Sequence, residues 1–172
     1  DDIFFPGQPD TPRLTLKGSG RTVRFRPDQR QLELTSGKTQ FGHTFDNWGH
    51  HILGNNSNHI YHEVIAEPYL KRNPDLLVSN ATQTLTDHGS EVFPITQNPE
   101  RQLLTNVGIF TSACGNIAYT GGSFSDPYNK DAYFVCEPVS NIVHADHLEK
   151  NGASFTALRA GRPFASGSCG RA

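Results

Sequence analysis

Residues 52–62 of this chain recur at residues 134–144, an offset of 82. Ile52-Leu53-Gly54, Asn55-Asn56-Ser57-Asn58 and His59-Ile60-Tyr61-His62 align with Phe134-Val135-Cys136, Glu137-Pro138-Val139-Ser140 and Asn141-Ile142-Val143-His144. Each copy has an apolar pair, a small residue, a polar loop and an Ile-x-His triplet. An internal repeat means that one supersecondary unit is used again, each copy burying its apolar face against the next. A propeller blade takes about 40–50 residues. The offset therefore fits one blade plus an insertion better than two plain blades, because residues 93–103 hold no intermediate copy.

The local pattern identifies the unit as a β-meander. Thr22–Arg26 and Gln31–Thr35 alternate polar and apolar residues around Pro27-Asp28-Gln29-Arg30, which has turn chemistry, so they predict a hairpin. Residues 40–45, 50–54 and 59–65 read as short strands. They are separated by a tight turn, Asp46-Asn47-Trp48-Gly49, and by the polar loop Asn55–Asn58. The rhythm resumes at 107–110 and 117–119. It runs through the continuous apolar stretch 132–136, which predicts a strand covered on both faces, and then through 142–144. Asn151-Gly152 predicts a hairpin turn into residues 154–158.

Residues 66–105 break the rhythm and read as an insertion within a blade. Pro68–Pro74 predicts one helical turn that Pro74 stops. Val92-Phe93-Pro94-Ile95 predicts an edge strand, since proline cannot complete a central ladder. With 16 Gly and 11 Pro, the chain is unsuited to a helical bundle. The predicted fold is all-β: a partial β-propeller of about two and a half blades, with an irregular insertion and a tail of small residues at 165–172. A propeller needs at least four blades to close. The expected partner is therefore the rest of a propeller or another subunit.

Lys plus Arg number 15 against 17 Asp plus Glu, a net charge of −2, which disfavours nucleic acid as a partner. No apolar run approaches the ~18 residues of a membrane span. Asp1-Asp2 opens the chain without a basic signal-peptide region, as a processed N-terminus would. Cys114 and Cys136 lie in strand-like surroundings. They read equally as a disulfide of an oxidising compartment or as two buried thiols. No cysteine pair has metal-ligand spacing, and there is no C-x-x-C-H haem motif.

Several motifs resemble a bacterial group. They are Phe41-Gly42-His43-Thr44-Phe45-Asp46-Asn47-Trp48-Gly49-His50-His51, Asn56–Ile60, Pro68–Pro74, Thr111–Gly115, Val135–His144 and Asn151–Phe155. The group is the exported propeller proteins labelled membrane-bound dehydrogenases, which are similar to the soluble glucose and sorbosone dehydrogenases that use pyrroloquinoline quinone (PQQ). The resemblance spans residues 11 to 164. It implies a six-bladed propeller in the periplasm or outside the cell. It also implies oxidation of a sugar or alcohol with PQQ and calcium. The alternative is a non-catalytic propeller module that binds a glycan or protein partner, or braces a haem-protein assembly. The quinone-gripping cations would come largely from blades outside this chain.

Such an oxidation needs a general base, and a histidine near neutral pKa suits it. Five of the eight histidines fall between residues 43 and 62. His59, flanked by Asn56 and Asn58, is the first candidate and His43 the second; the competing reading of His59 is a structural loop residue. Glu137 and Asn141, the repeat-mates of Asn55 and His59, join Asn56 and Asn58 as candidate cofactor contacts. Calcium would sit among Asp46, Asn55, Asn56 and Asn58, against a plain reading as turn chemistry. His59 and His62 fall on opposite strand faces, and no HExxH or CxxC motif is present, so no zinc site is expected. Trp48 reads as a packing plug on the opposite rim.

Overall fold

The computed structural model describes residues 20–29, 31–94 and 108–160, with the backbone alone of three short strands elsewhere. Strands dominate, and the chain forms two compact units. The first unit comprises residues 1–38 and 65–81. It holds the pair β1 (Asp2–Ile3) and β2 (Leu14–Thr15), the hairpin β3 (Val23–Arg26) and β4 (Gln31–Leu34), and the single turn α1 (Glu67–Leu70). Alternation sets the hairpin register, with Phe25 opposite Leu32 and Arg24 opposite Glu33. Arg24 donates to Glu33 from Nε at 2.8 Å. The pair is solvent-facing, so it contributes less than about 1 kcal/mol. Pro68 lies in the first turn of α1, where its fixed φ suits a helix start.

The second unit comprises residues 39–64 and 82–172 and contains two four-stranded antiparallel meanders. The first runs β5 (Gly42–Phe45), β6 (His51–Gly54), β7 (Tyr61–Glu63) and β8 (Thr82–Thr84). The second runs β9 (Cys114–Ala118), β10 (Ala132–Glu137), β11 (Ile142–Asn151) and β12 (Ser154–Arg159), with β13 (Ala165–Ser166) also beside β11. No barrel closes among the described residues. The fold is the all-β, open, partial propeller of the sequence reading: one hairpin and two blade-like meanders.

The segment read as an insertion supplies β8, the fourth strand of the first meander. The excursion from that sheet is thus the stretch 65–81. Of the expected edge strand, Val92, Phe93 and Pro94 lie in no strand and Ile95 falls outside the described residues; Glu91 forms a bridge to Ile109. Residues 95–107 and the tail beyond 166 lie outside the described residues. The repeat survives folding with a one-residue slip. Leu53 pairs Tyr61, whereas its repeat-mate Val135 pairs His144.

The core of the second unit lies between the meanders. Ile52 and Ile60 of the first meet Tyr133, Leu148 and Ala157 of the second, with Leu85 joining them. Val92, Phe110, Ala113, Val135 and Ile142 form a second cluster. Ala132 and Phe134 point the other way and pack on Ala145 and Tyr128. Both faces of β10 are therefore covered, which explains its unbroken apolar run. The approach of β5 to β9 depends on glycine. A Cβ at Gly42 would lie 2.2 Å from Asn116 Oδ1.

Candidate metal centre

Strand alternation puts His144 and Asp146 of β11 on one face, and both are buried. His59 precedes β7 at the end of the Asn55–Asn58 loop. His88 comes from the turn after β8, and local hydrogen bonds shape that turn. The Thr86 hydroxyl donates to the Gly89 carbonyl at 3.0 Å and accepts from the His88 amide at 3.2 Å. The turn is pinned to β12 by the Asp87 amide, which donates to the Ala157 carbonyl at 3.2 Å. Four side chains from three regions of the sequence thereby meet, and one ligand atom from each lies within 4.8 Å of all the others.

Asp146 is the hub. Its Oδ2 lies 2.9 Å from His59 Nε2, its Oδ1 lies 2.9 Å from His144 Nε2, and His88 Nε2 stands 3.8 Å from Oδ1. His88 Nδ1 donates to Asp87 at 2.6 Å. Its Nε2 faces Asp146. This nitrogen is buried and has no hydrogen-bond partner. The rings are held by stacking. His59 lies on Phe110 with centroids 4.0 Å apart, and His144 meets both rings edge-on at 5.2 Å.

Burial dominates the electrostatics. His59 is 1% exposed and Asp146 2%. Burial pushes His59 below the usual histidine range, and the Asp146 carboxylate only partly offsets it. Burial alone would raise Asp146, but hydrogen bonds from His144 and His59 outweigh it and hold the acid well below the ordinary range. Taking a carboxylate out of water is costly unless its oxygens are partnered, and His59 and His144 partner both oxygens of Asp146.

The donor set fits a borderline divalent metal. Three imidazoles and one carboxylate suit zinc, whose bonds of about 2.0–2.1 Å place tetrahedral ligands about 3.3 Å apart. The four ligand atoms lie within 4.8 Å of one another, close enough for small side-chain shifts to bring them to that spacing. Calcium prefers an all-oxygen shell, which this set lacks. The rings pack directly on one another, with the His59 centroid 4.0 Å from that of Phe110, 5.2 Å from His144 and 5.4 Å from His88. Second-sphere geometry also fits, since the Asp87–His88 pair is the carboxylate–histidine arrangement that orients metal ligands.

Of the residues singled out in the sequence, only His59 belongs to this cluster. His43 sits on β5, with Nδ1 3.2 Å from His51 Nε2 and its ring edge-on to Phe45. Asn56 accepts the Ala113 amide through its carbonyl, and Asn58 donates to Thr84. Glu137 is wholly buried. It accepts from the Thr111, Ser112 and Val139 amides and from the Ser112 hydroxyl, so it is a loop clamp with its oxygens committed. Asn141 closes the β10–β11 turn at φ 53°, a conformation asparagine tolerates. The structure brings His59, Glu137 and Asn56 to one loop, residues 110–113, and places His43 on β5. Asp46 and the Asn55–Asn58 loop, weighed for calcium against plain turn chemistry, flank opposite ends of β6. Asp46 instead caps its own turn.

Cys114 and Cys136 face each other across β9 and β10 as free thiols, so the disulfide reading is not realised in this structure. Trp48 is no packing plug: it is 83% exposed. Sequence reasoning missed His88, His144 and Asp146. The His-x-Asp spacing on a strand was a signal for the last two. His88 carried none, because its segment read as an insertion.

These features define an all-β meander protein with a buried three-histidine, one-aspartate cluster. Residues 10–168 match the family described as Domain of unknown function (DUF7133), and the chain belongs to that family. No curated protein and no solved structure matches it.

Proposed function

We propose that this chain is a metal-binding module of propeller type, holding one zinc-class divalent cation on His59, His88, His144 and Asp146. One observation carries the reading: four ligand atoms from separate elements converge within 4.8 Å around a buried carboxylate. The ligand side chains are between 0% and 11% exposed. Protein donors fill all four positions, which is the pattern of a structural site and not of a catalytic one that keeps a position for water. The ion would join the first meander, the turn after β8 and the second meander.

The test is calorimetric titration of the metal-free protein with zinc and, separately, calcium. The reading expects one zinc per chain, no calcium uptake, and loss of zinc affinity by about 100-fold or more in His88→Ala and His144→Ala. Equal zinc uptake by wild type and both variants would overturn it.

The wider reading is an exported oxidoreductase that oxidises a sugar or alcohol with a quinone, in the periplasm or outside the cell. It rests on the motif resemblance. In such a protein the ion would brace the propeller, and the reacting groups would come from other blades. No helix among the described residues is long and apolar enough to cross a membrane.

A further inference from the structure

The loops at the β5–β6 end of the second unit form a different kind of site. Trp48, the single tryptophan of the chain, stands almost fully exposed in the turn joining β5 to β6. The turn is rigid. Asp46 Oδ1 accepts the Trp48 and His50 amides at 2.9 and 2.8 Å, and Oδ2 accepts His50 Nδ1 at 2.6 Å. Gly49 supplies the positive φ of 84° that closes it. A large indole displayed on a fixed turn is the costly, informative kind of exposure.

Two clefts flank that indole, of about 500 and 450 Å³. They share Asp46, Trp48, Asp131, Leu148 and Phe155. Lys150 lines the first and Asn129 and Lys130 the second. Phe155 is braced edge-on by His50, with centroids 4.9 Å apart. The lining thus pairs aromatic faces with carboxylates, an amide and ammonium groups, all from the loops and strand ends of one rim.

We infer that this double cleft binds a carbohydrate chain, with Trp48 as the stacking platform. A pyranose has an apolar C–H face and a rim of hydroxyl groups that both donate and accept. An electron-rich indole face attracts the first. Carboxylates accept from hydroxyls, while ammonium and amide groups donate to them. Such mixed linings, mostly apolar with a few fixed polar groups, are what small-ligand clefts use for orientation. The two carboxylates and two ammonium groups leave the lining without the net positive charge that a polyanion such as nucleic acid requires. Two adjoining clefts around one indole suit several linked sugar units better than a monosaccharide. This site is independent of the metal centre.

The single tryptophan makes the test direct. The purified chain is titrated with β-1,4-glucan, β-1,4-xylan and α-1,4-glucan hexasaccharides while indole emission is followed, and the heats are measured by calorimetry. The expected result is a saturable shift in emission with at least one of the three. Trp48→Ala should then weaken the calorimetric affinity by roughly tenfold or more. Asp131→Asn, which keeps a residue tolerant of the φ of 52° found there, should weaken it less. Unchanged thermal unfolding of Trp48→Ala would show that the fold is intact, as the exposure of the side chain requires. No spectral or heat change with any of the three at about 10 mM, weaker than any useful affinity, would overturn the inference. So would binding that Trp48→Ala leaves unaltered.

Discussion

The two meanders of the second unit are unequal. The strands of the first, β5–β8, have three or four residues each. Those of the second, β9–β12, have five to ten. The longer meander carries two ligands, His144 and Asp146, on one strand whose pairing with β10 and β12 is continuous. The shorter one contributes His59 from a loop end, and the turn following it contributes His88. The second meander is thus a platform that presents its ligands ready-made. The first depends on loops being held in place, and an ion at the junction would hold them. Repeat-mates therefore need not share a role: His59 joins the buried cluster, while Asn141, at the matching position, closes the β10–β11 turn.

The largest effect that could break this comparison is metal loading. At a zinc concentration about a thousand times its dissociation constant, binding should stabilise the fold by about 4 kcal/mol, raising Tm on the order of 10 °C. Hydrogen exchange should show the new protection concentrated around His59 and residues 85–92, not in β11. Equal protection across both meanders would remove the asymmetry. Next is the hub. Asp146→Ala should destabilise even the metal-free protein, by about 3 kcal/mol, because two buried imidazoles lose their acceptor. His88→Ala should cost the metal-free protein about 1–2 kcal/mol, less than Asp146→Ala, because it loses the Asp87 bond and ring packing but leaves the His59 and His144 bonds to Asp146 in place. Chemical denaturation of both variants with and without zinc separates ligand from scaffold.

A smaller effect sharpens the account of the second meander. Glu137→Gln should cost about 1.5–3 kcal/mol by weakening the charge-assisted bonds to Thr111, Ser112 and Val139. It should leave zinc affinity nearly intact, because the clamp is not a ligand. The smallest effect concerns pH. Burial lowers His62, which sits between Ser154 and Phe155, below the ordinary histidine value of 6.5. The folded state therefore binds fewer protons than the unfolded chain as pH falls through that value, so stability should decline below about pH 6.5. His62→Gln should flatten that part of the Tm–pH profile.

Much of the fold was legible because alternation and turn chemistry are local. The β3–β4 hairpin, the β10 run and the Asn151-Gly152 turn all form where the residues place them. The fourth strand of the first meander was not legible. Thr82-Gln83-Thr84 is a short polar stretch whose strand character comes from pairing with Tyr61–Glu63 across an excursion of the chain. The site was half legible for the same reason. The flanking Asn56 and Asn58 drew attention to His59, but a general base must reach a substrate, and this ring is buried against Phe110. Its partners lie 29, 85 and 87 residues away along the chain, at His88, His144 and Asp146. Only the packing of two sheets brings them together. Trp48 failed in the opposite sense: a lone indole between strands suggests core, and only the rigid Asp46-capped turn explains its exposure.

His59, His88, His144 and Asp146 are proposed to close together around one ion. X-ray absorption at the zinc edge of the loaded protein tests this proposal most directly. The account expects four nitrogen and oxygen neighbours at about 2.0 Å with imidazole scattering from three rings. A six-oxygen shell, or a spectrum that His88→Ala leaves unchanged, would contradict it.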